Sequence, residues 1–314
     1  MPPVDRNNPK RSKASEPQYS LMEFMREFPD DAACLEWLWR ERFAEDGSHS
    51  FCPSKKCQRE RKFHKVNGRP TWDCDSCGHH ISPLAGTIFK KSSTSLHLWF
   101  YAMHLMTSTR CGISAKQLER ELGVTYKTAW RIANLIRNEL MADDGEQLSG
   151  AVEADETGFG GRPKASHTRG MTIPQAVTFG KRRKTSIVAM VERGGRARAI
   201  VQPRESALAT VSLHVSPDAT VYTDEWAGYR NLKDTHPAHF TIRHADKVYA
   251  SGEVHTQTIE GFFGNMKMGI VGNYHAVSKK WLQGYVNEYV WRYNHRKQPH
   301  SMFRLLLLRA ASGA

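Results

Sequence analysis

No apolar run in this chain approaches the roughly 18–20 residues that a bilayer crossing needs. The opening segment MPPVDRNNPKRSK also lacks the apolar stretch of a secretory leader. The expectation is therefore no membrane partner and a cytoplasmic protein. Cysteine is scarce, six in 314 residues, and in a reducing compartment so few argue against a disulfide framework. Glycine-rich phosphate loops are missing too: Gly160 and Gly161 have neither the spacing nor the following Gly-Lys-Ser/Thr of a nucleotide site. Serines and tyrosines are isolated, with no paired base that would make one of them a nucleophile. Acidic residues are outnumbered, 32 against 45 Lys and Arg, for a formal charge of +13. That balance favours a polyanion, because neutralising phosphates releases counterions from nucleic acid.

What is present reads in blocks. Residues 1–18 are polar and charged and are expected to form a disordered tail. Over 19–48 the apolar positions Leu21, Phe24, Met25 and Phe28, then Leu35, Trp37, Leu38 and Phe43, recur at helical spacing. Pro29 breaks the run, and Asp30 or Asp31 is placed to cap a second helix. Residues 49–92 carry two close cysteine pairs, Cys52 with Cys57 and Cys74 with Cys77. Four thiolates in that layout predict a ribbon closed by one structural Zn²⁺, the metal substituting for a core too small to stand alone. His79 and His80 lie just beyond Cys77 and are expected to be exposed or in a supporting role rather than ligands.

Residues 93–145 turn helical again. GISAKQLERELGVTYKTAWRIANLIRNEL predicts helix, turn at Gly123, helix, with Ser114 and Gln117 matching a capping box. Two readings stay open, an ordinary helical hairpin and a helix-turn-helix that lays its second helix in a major groove. In the second reading Thr125, Tyr126, Lys127 and Arg131 face DNA.

From 146 to 300 the pattern changes to strands and then helices, with a C-terminal segment over 301–314. AVEAD reads as a short strand ending in Asp155, TSIVAMVE and ARAIVQP as a hairpin over Gly194-Gly195, and TVYTD as a strand ending in Asp224. Glu260 opens a helix, and another runs from Ser278 to His295 with Trp281, Tyr285, Tyr289 and Tyr293 as a packing stripe. Two strand carboxylates and one helix carboxylate suit two Mg²⁺ ions spaced roughly 3.5–4 Å apart for phosphodiester chemistry. Glu153 and Glu156 compete with Asp155 for this role, and Glu253 and Glu288 with Glu260. Between 158 and 184 there are seven Lys/Arg and no acid, among them Lys181, Arg182 and Arg183. Two readings stay open for this stretch, a flexible solvated loop and a loop that orders on DNA and closes over the site.

The strings VEADETGFGG, KTSIVAMVERGGRARAIVQP, VYTDEWAGY, HTQTIEGFFGNMKMGIVGNYH and LQGYVNEYVWRYNHR resemble bacterial insertion-sequence DDE transposases of the zinc-ribbon, ISXO-like family. The resemblance runs from about residue 20 and is densest over 150–296. It implies a multidomain α+β chain: small helical lead-in, zinc ribbon, helix-turn-helix, and a ribonuclease H-like α/β catalytic domain. Asp155, Asp224 and Glu260 would be the triad holding two Mg²⁺ (or Mn²⁺), and Lys267 would contact a transposon-end phosphate. The implied reaction nicks element ends and joins the freed 3′-hydroxyls to target DNA, in a homo-oligomer that brings two terminal inverted repeats together. The alternatives are a DNA-binding regulator using the ribbon and helix pair, and a standalone nuclease. Two departures from the family pattern are the wide knuckle CPSKKC and QTIE in place of NTIE.

Overall fold

The computed structural model describes residues 19–109, 111–142, 145–160, 169–175, 184–242, 250–251, 254–298 and 301–313. The chain divides into two units, Met1–Leu140 with His295–Ala314, and Met141–Asn294.

The first unit opens with α1 (Leu21–Glu27) and α2 (Asp31–Arg42). Ser20 and Glu23 exchange the reciprocal bonds of a capping box, and Asp30 accepts from Ala33 N at 2.8 Å. Strands β1 (His49–Phe51), β2 (Glu60–Lys65), β3 (Trp72–Cys74) and β4 (His80–Ile81) form an antiparallel sheet in that order. Trp72 of β3 stacks on Trp39 of α2 at 4.7 Å between ring centroids. Next come α3 (Leu96–Ser108), α4 (Ala115–Leu122) and α5 (Tyr126–Leu135). Ser114 accepts from Gln117 N at 3.2 Å, but the Gln117 side chain does not return the bond, so the predicted box is half made. Gly123 ends α4 at φ +64, where a side chain would strain the turn.

This unit is completed by the far end of the chain. Within it the last helix, Met302–Ser312, packs Phe303 against Phe24 (5.7 Å) and Phe28 (6.2 Å). Arg304 pairs with Glu27 at 2.7 Å. The C-terminal segment is thus part of the amino-terminal core.

The second unit is built on a five-stranded sheet, β5 (Ala151–Phe159), β6 (Thr185–Glu192), β7 (Ala197–Val201), β8 (Thr220–Thr223) and β9 (His239–Thr241), in the order β7-β6-β5-β8-β9. β7, β6 and β5 are antiparallel neighbours, while β8 and β9 run parallel to β5. Gly194, at φ +76, supplies the left-handed turn between β6 and β7. Strand alternation sends successive side chains to opposite faces. Val152, Ala154, Val188 and Met190 pack on one side with α6 (Ala207–His214). Ile187, Ala189, Val191 and Ala199 pack on the other with α7 (Gln257–Tyr274) and α8 (Leu282–Asn294). Tyr289 is buried in that second core and Tyr285 and Tyr293 pack against it, so the tyrosines of the α8 stripe are structural. Burying side chains such as Ile259, Met266 and Val286 contributes about 1.5–3 kcal/mol each.

The outer strand β7 does not leave its backbone bare. Asn294 accepts from Ala197 N at 2.7 Å and donates to Ala197 O at 3.0 Å. Gln283 accepts from Val201 N at 2.7 Å and donates to Ala199 O at 3.1 Å. Two amide side chains from α8 therefore stand in for a neighbouring strand, a protection that sheet edges require. Among the described residues no helix is long and apolar enough to cross a membrane.

Candidate active site

Strand β5 continues four residues past Asp155, so this carboxylate lies mid-strand and not at its end as expected. The reason lies in the partners. β8 accompanies β5 only over Ala151–Glu153, while β6 pairs with it all the way to Phe159. Asp155 therefore stands just beyond the reach of β8, at the notch where the parallel pairing stops. Asp224 follows the last residue of β8 and opens onto the same notch.

Carboxylate oxygens of Asp155, Glu156 and Asp224 lie within 4.8 Å of one another. Asp155 accepts from Glu156 N at 2.7 Å, and Asp224 accepts from Trp226 N at 3.0 Å. Glu156 faces the α6 side, where the buried Tyr229 hydroxyl donates to it at 3.0 Å. Burial pushes the Asp155 carboxyl up to about 7, with the charges of Asp224, Glu156 and Glu260 adding to the effect. The Tyr229 hydroxyl is driven upward by burial and by Glu156, Asp155 and Asp224. Such crowding of negative charge is what a bound cation relieves.

Glu260 sits in the first turn of α7 and accepts from Thr256 Oγ1 at 3.4 Å. It lies outside the 4.8 Å cluster, yet close enough for its charge to raise Asp155. Lys267, two helical turns further on, is half-buried. Burial and Lys184 lower its pKa, while Asp155 acts in the opposite direction. The sequence thus brings Asp155, Asp224, Glu260 and Lys267 into one electrostatic neighbourhood.

The competing carboxylates separate cleanly. Glu288 is fully buried on α8, bonded to Arg292 at 2.8 Å and to the Tyr274 hydroxyl at 2.9 Å. Glu153 is fully buried as well and is bonded to Arg193 at 2.8 Å. Glu156 joins the cluster, a membership the sequence left undecided. Glu253 lies outside the described residues, as do Lys181, Arg182 and Arg183.

In the first unit the four sulfurs of Cys52, Cys57, Cys74 and Cys77 lie within 4.8 Å of one another, with Cys52 and Cys77 at 3.6 Å. Thiolates about 2.3 Å from a tetrahedral zinc sit just under about 4 Å apart, so this donor set fits that ion. Arg61 Nε donates to Cys57 Sγ at 3.4 Å, and the His79 backbone N–H holds the Cys77 thiol down. His80 turns away to pair with Asp73. In the helix pair, Thr125 spends its hydroxyl capping α5 through Thr128 N at 3.4 Å. Tyr126, Lys127 and Arg131 are exposed, with Lys116 5.1 Å above the Tyr126 ring.

Residues 147–294 match the family model of the ISXO2-like transposase domain. Over this stretch the chain is similar to the insertion-sequence DDE transposases. An uncharacterised protein in transposable element ISH50 of Halobacterium salinarum is 26% identical over 254 residues, covering 77% of this chain and 84% of the relative. No solved structure matches the chain.

The family implies DNA as a partner and divalent metal as a cofactor. The transposase domain meets the second requirement with hard oxygen donors at a crowded anionic notch, which suits Mg²⁺ or Mn²⁺ over softer ions. Two supporting residues escaped the sequence reading, Tyr229 and Arg193. Neither has a local signature, because each acts through a partner far away in the chain.

Proposed function

We propose that the protein is the DNA transposase of an insertion element, cutting element ends by Mg²⁺-dependent phosphodiester hydrolysis and joining the 3′-hydroxyls to target DNA. The single observation that carries this reading is the clustering of Asp155 and Asp224, from two different strands, with Glu260 near enough to act on Asp155. The strand order β7-β6-β5-β8-β9, antiparallel through β5 and parallel beyond, supports a ribonuclease H-like fold.

In this reading Asp155, Asp224 and Glu260 hold two Mg²⁺ or Mn²⁺ ions. When bound, the ions supply charge neutralisation at the scissile phosphate and acidify the attacking hydroxyl. Asp155, crowded by burial and like charge, gives its proton up to make room for cation binding. Glu156, braced by Tyr229, adds negative charge on the far side of β5. Lys267 binds a phosphate of the element end. One Zn²⁺ on Cys52, Cys57, Cys74 and Cys77 builds the ribbon, and Tyr126, Lys127 and Arg131 present α5 to DNA. Joining requires two inverted repeats in one complex, so the active form is a homo-oligomer.

The test is Asp155→Asn and Glu260→Gln in a cleavage assay on element-end DNA. Each is expected to reduce Mg²⁺-dependent cleavage below detection and leave end binding largely intact. Cleavage at the original rate by either variant would remove the triad as assigned.

A further inference from the structure

We propose that Glu153 and Arg193 are a positioning pair that fixes α7 against β5 and thereby sets where Glu260 stands relative to Asp155. This inference rests on the metal-site reading above.

The sequence of β5 places Glu153 and Asp155 two residues apart, so both project from the same face of the sheet, about 7 Å apart along the strand. That face is the one covered by α7. Glu153 is fully buried, where a charge is costly unless several donors meet it. Four groups do so. Arg193 Nε donates to Oε1 at 2.8 Å, Thr258 Oγ1 to the same oxygen at 2.9 Å, and Ile259 N to Oε2 at 3.0 Å. His255 Nδ1 lies 3.2 Å from Oε1.

Two of these partners are at the start of α7. A helix leaves its first backbone N–H groups without internal acceptors, and a side chain at the N-cap position ordinarily supplies one. Thr256 holds that position here and makes no such bond; its hydroxyl goes to Glu260 instead. The missing acceptor comes from another element altogether, the Glu153 carboxylate on β5. A carboxylate is well suited there because the helix N-terminus carries partial positive charge. The grip falls on Ile259, the residue directly before Glu260.

Arg193 extends the clamp. It leaves the β6–β7 turn, donates through Nη2 to His255 O at 2.8 Å, and lies 4.1 Å from the centroid of the Tyr222 ring on β8. Tyr222 is in turn the register partner of Glu153 across the parallel pairing, two residues before Asp224. The strand bearing Asp155, the strand leading to Asp224 and the helix bearing Glu260 are therefore tied at one ion pair whose carboxylate is fully buried. Hydrophobic packing could bury this space equally well. Directional bonds to Ile259 N and His255 O do what packing does not, which is to forbid a shift of α7 along β5.

The experiment titrates Mn²⁺ into the zinc-loaded full chain by calorimetry, comparing wild type with Glu153→Gln, Arg193→Lys and Asp155→Asn, alongside thermal melting of each. Arg193→Lys keeps the charge opposite Glu153 but loses the bond to His255 O, so it serves if Glu153→Gln folds poorly. Asp155→Asn is expected to abolish binding at this site. Glu153→Gln and Arg193→Lys are expected to weaken it about tenfold in protein that is still folded. In end cleavage they should raise the half-activating Mg²⁺ concentration more than they lower the rate at saturating Mg²⁺. Lower melting temperatures with wild-type Mn²⁺ affinity would overturn the positioning role and reduce the pair to a structural one. Unchanged Mn²⁺ binding by Asp155→Asn would instead sink the metal-site reading itself.

Discussion

Tyr229 donates its hydroxyl hydrogen to Glu156 across 3.0 Å, joining the short 3₁₀ turn after β8 to the carboxylate next to Asp155. The bond stops Glu156 from swinging away from the like charges of Asp155 and Asp224. Removing the hydroxyl while keeping the ring in its core is therefore an informative change. Tyr229→Phe is expected to fold normally and to weaken Mn²⁺ binding about tenfold. Calorimetric titration checks it, and an unaltered affinity would mean that Glu156 needs no brace.

Metal-free protein should lose stability as pH rises. The Asp155 carboxyl titrates at about 7 in the fold, against 3.8 ordinarily. Between those values the unfolded chain releases a proton that the folded chain keeps, so unfolding is increasingly favoured up to about pH 7. The change is on the order of 2–4 kcal/mol. Melting temperatures without divalent metal should fall from pH 4 to pH 8, Asp155→Asn should flatten the slope, and Mg²⁺ should restore stability at pH 8. A wild-type slope in the variant would contradict the burial argument.

Zinc removal should act on one unit only. Chelation, or Cys74→Ser, is expected to unfold residues 49–92 and weaken end binding, because the Trp39–Trp72 stack shares a small core with the cysteines. Tryptophan fluorescence and a salt-dependent binding assay would record it. Mn²⁺ binding at the Asp155 site should persist.

The edge of the second sheet offers a test with no bearing on chemistry. Asn294→Ala should cost about 1–3 kcal/mol, since it orphans both backbone groups of Ala197. Light scattering should also show slow association through the bared β7 strand. An association state and melting temperature unchanged from wild type would assign those bonds no protective role.

Local patterns carried much of this from sequence. The pairs of cysteines, the break at Pro29 and the turn at Gly194 each depend on neighbours in the chain, and residues that near one another announce themselves. Asp155 and Asp224 were legible for the same reason, since each sits inside or just after an apolar run. Glu153 was not. Its alternation with Asp155 puts it on the covered face, but nothing nearby in sequence indicates that Thr258, Ile259 and Arg193 converge on it, 40 to 106 residues away. The length of β5 was likewise set by β6, a strand whose reach past Asp155 only the assembled sheet reveals.

Phe303 closes the aromatic core that Phe24 and Phe28 begin. Those rings come from segments on either side of the second unit in sequence, so the first unit cannot complete its core until the chain has been made through Phe303. The second unit is contiguous, Met141–Asn294, and needs no residue from beyond its own bounds to fold. On a growing chain the second unit can thus be complete while the first still lacks its last helix.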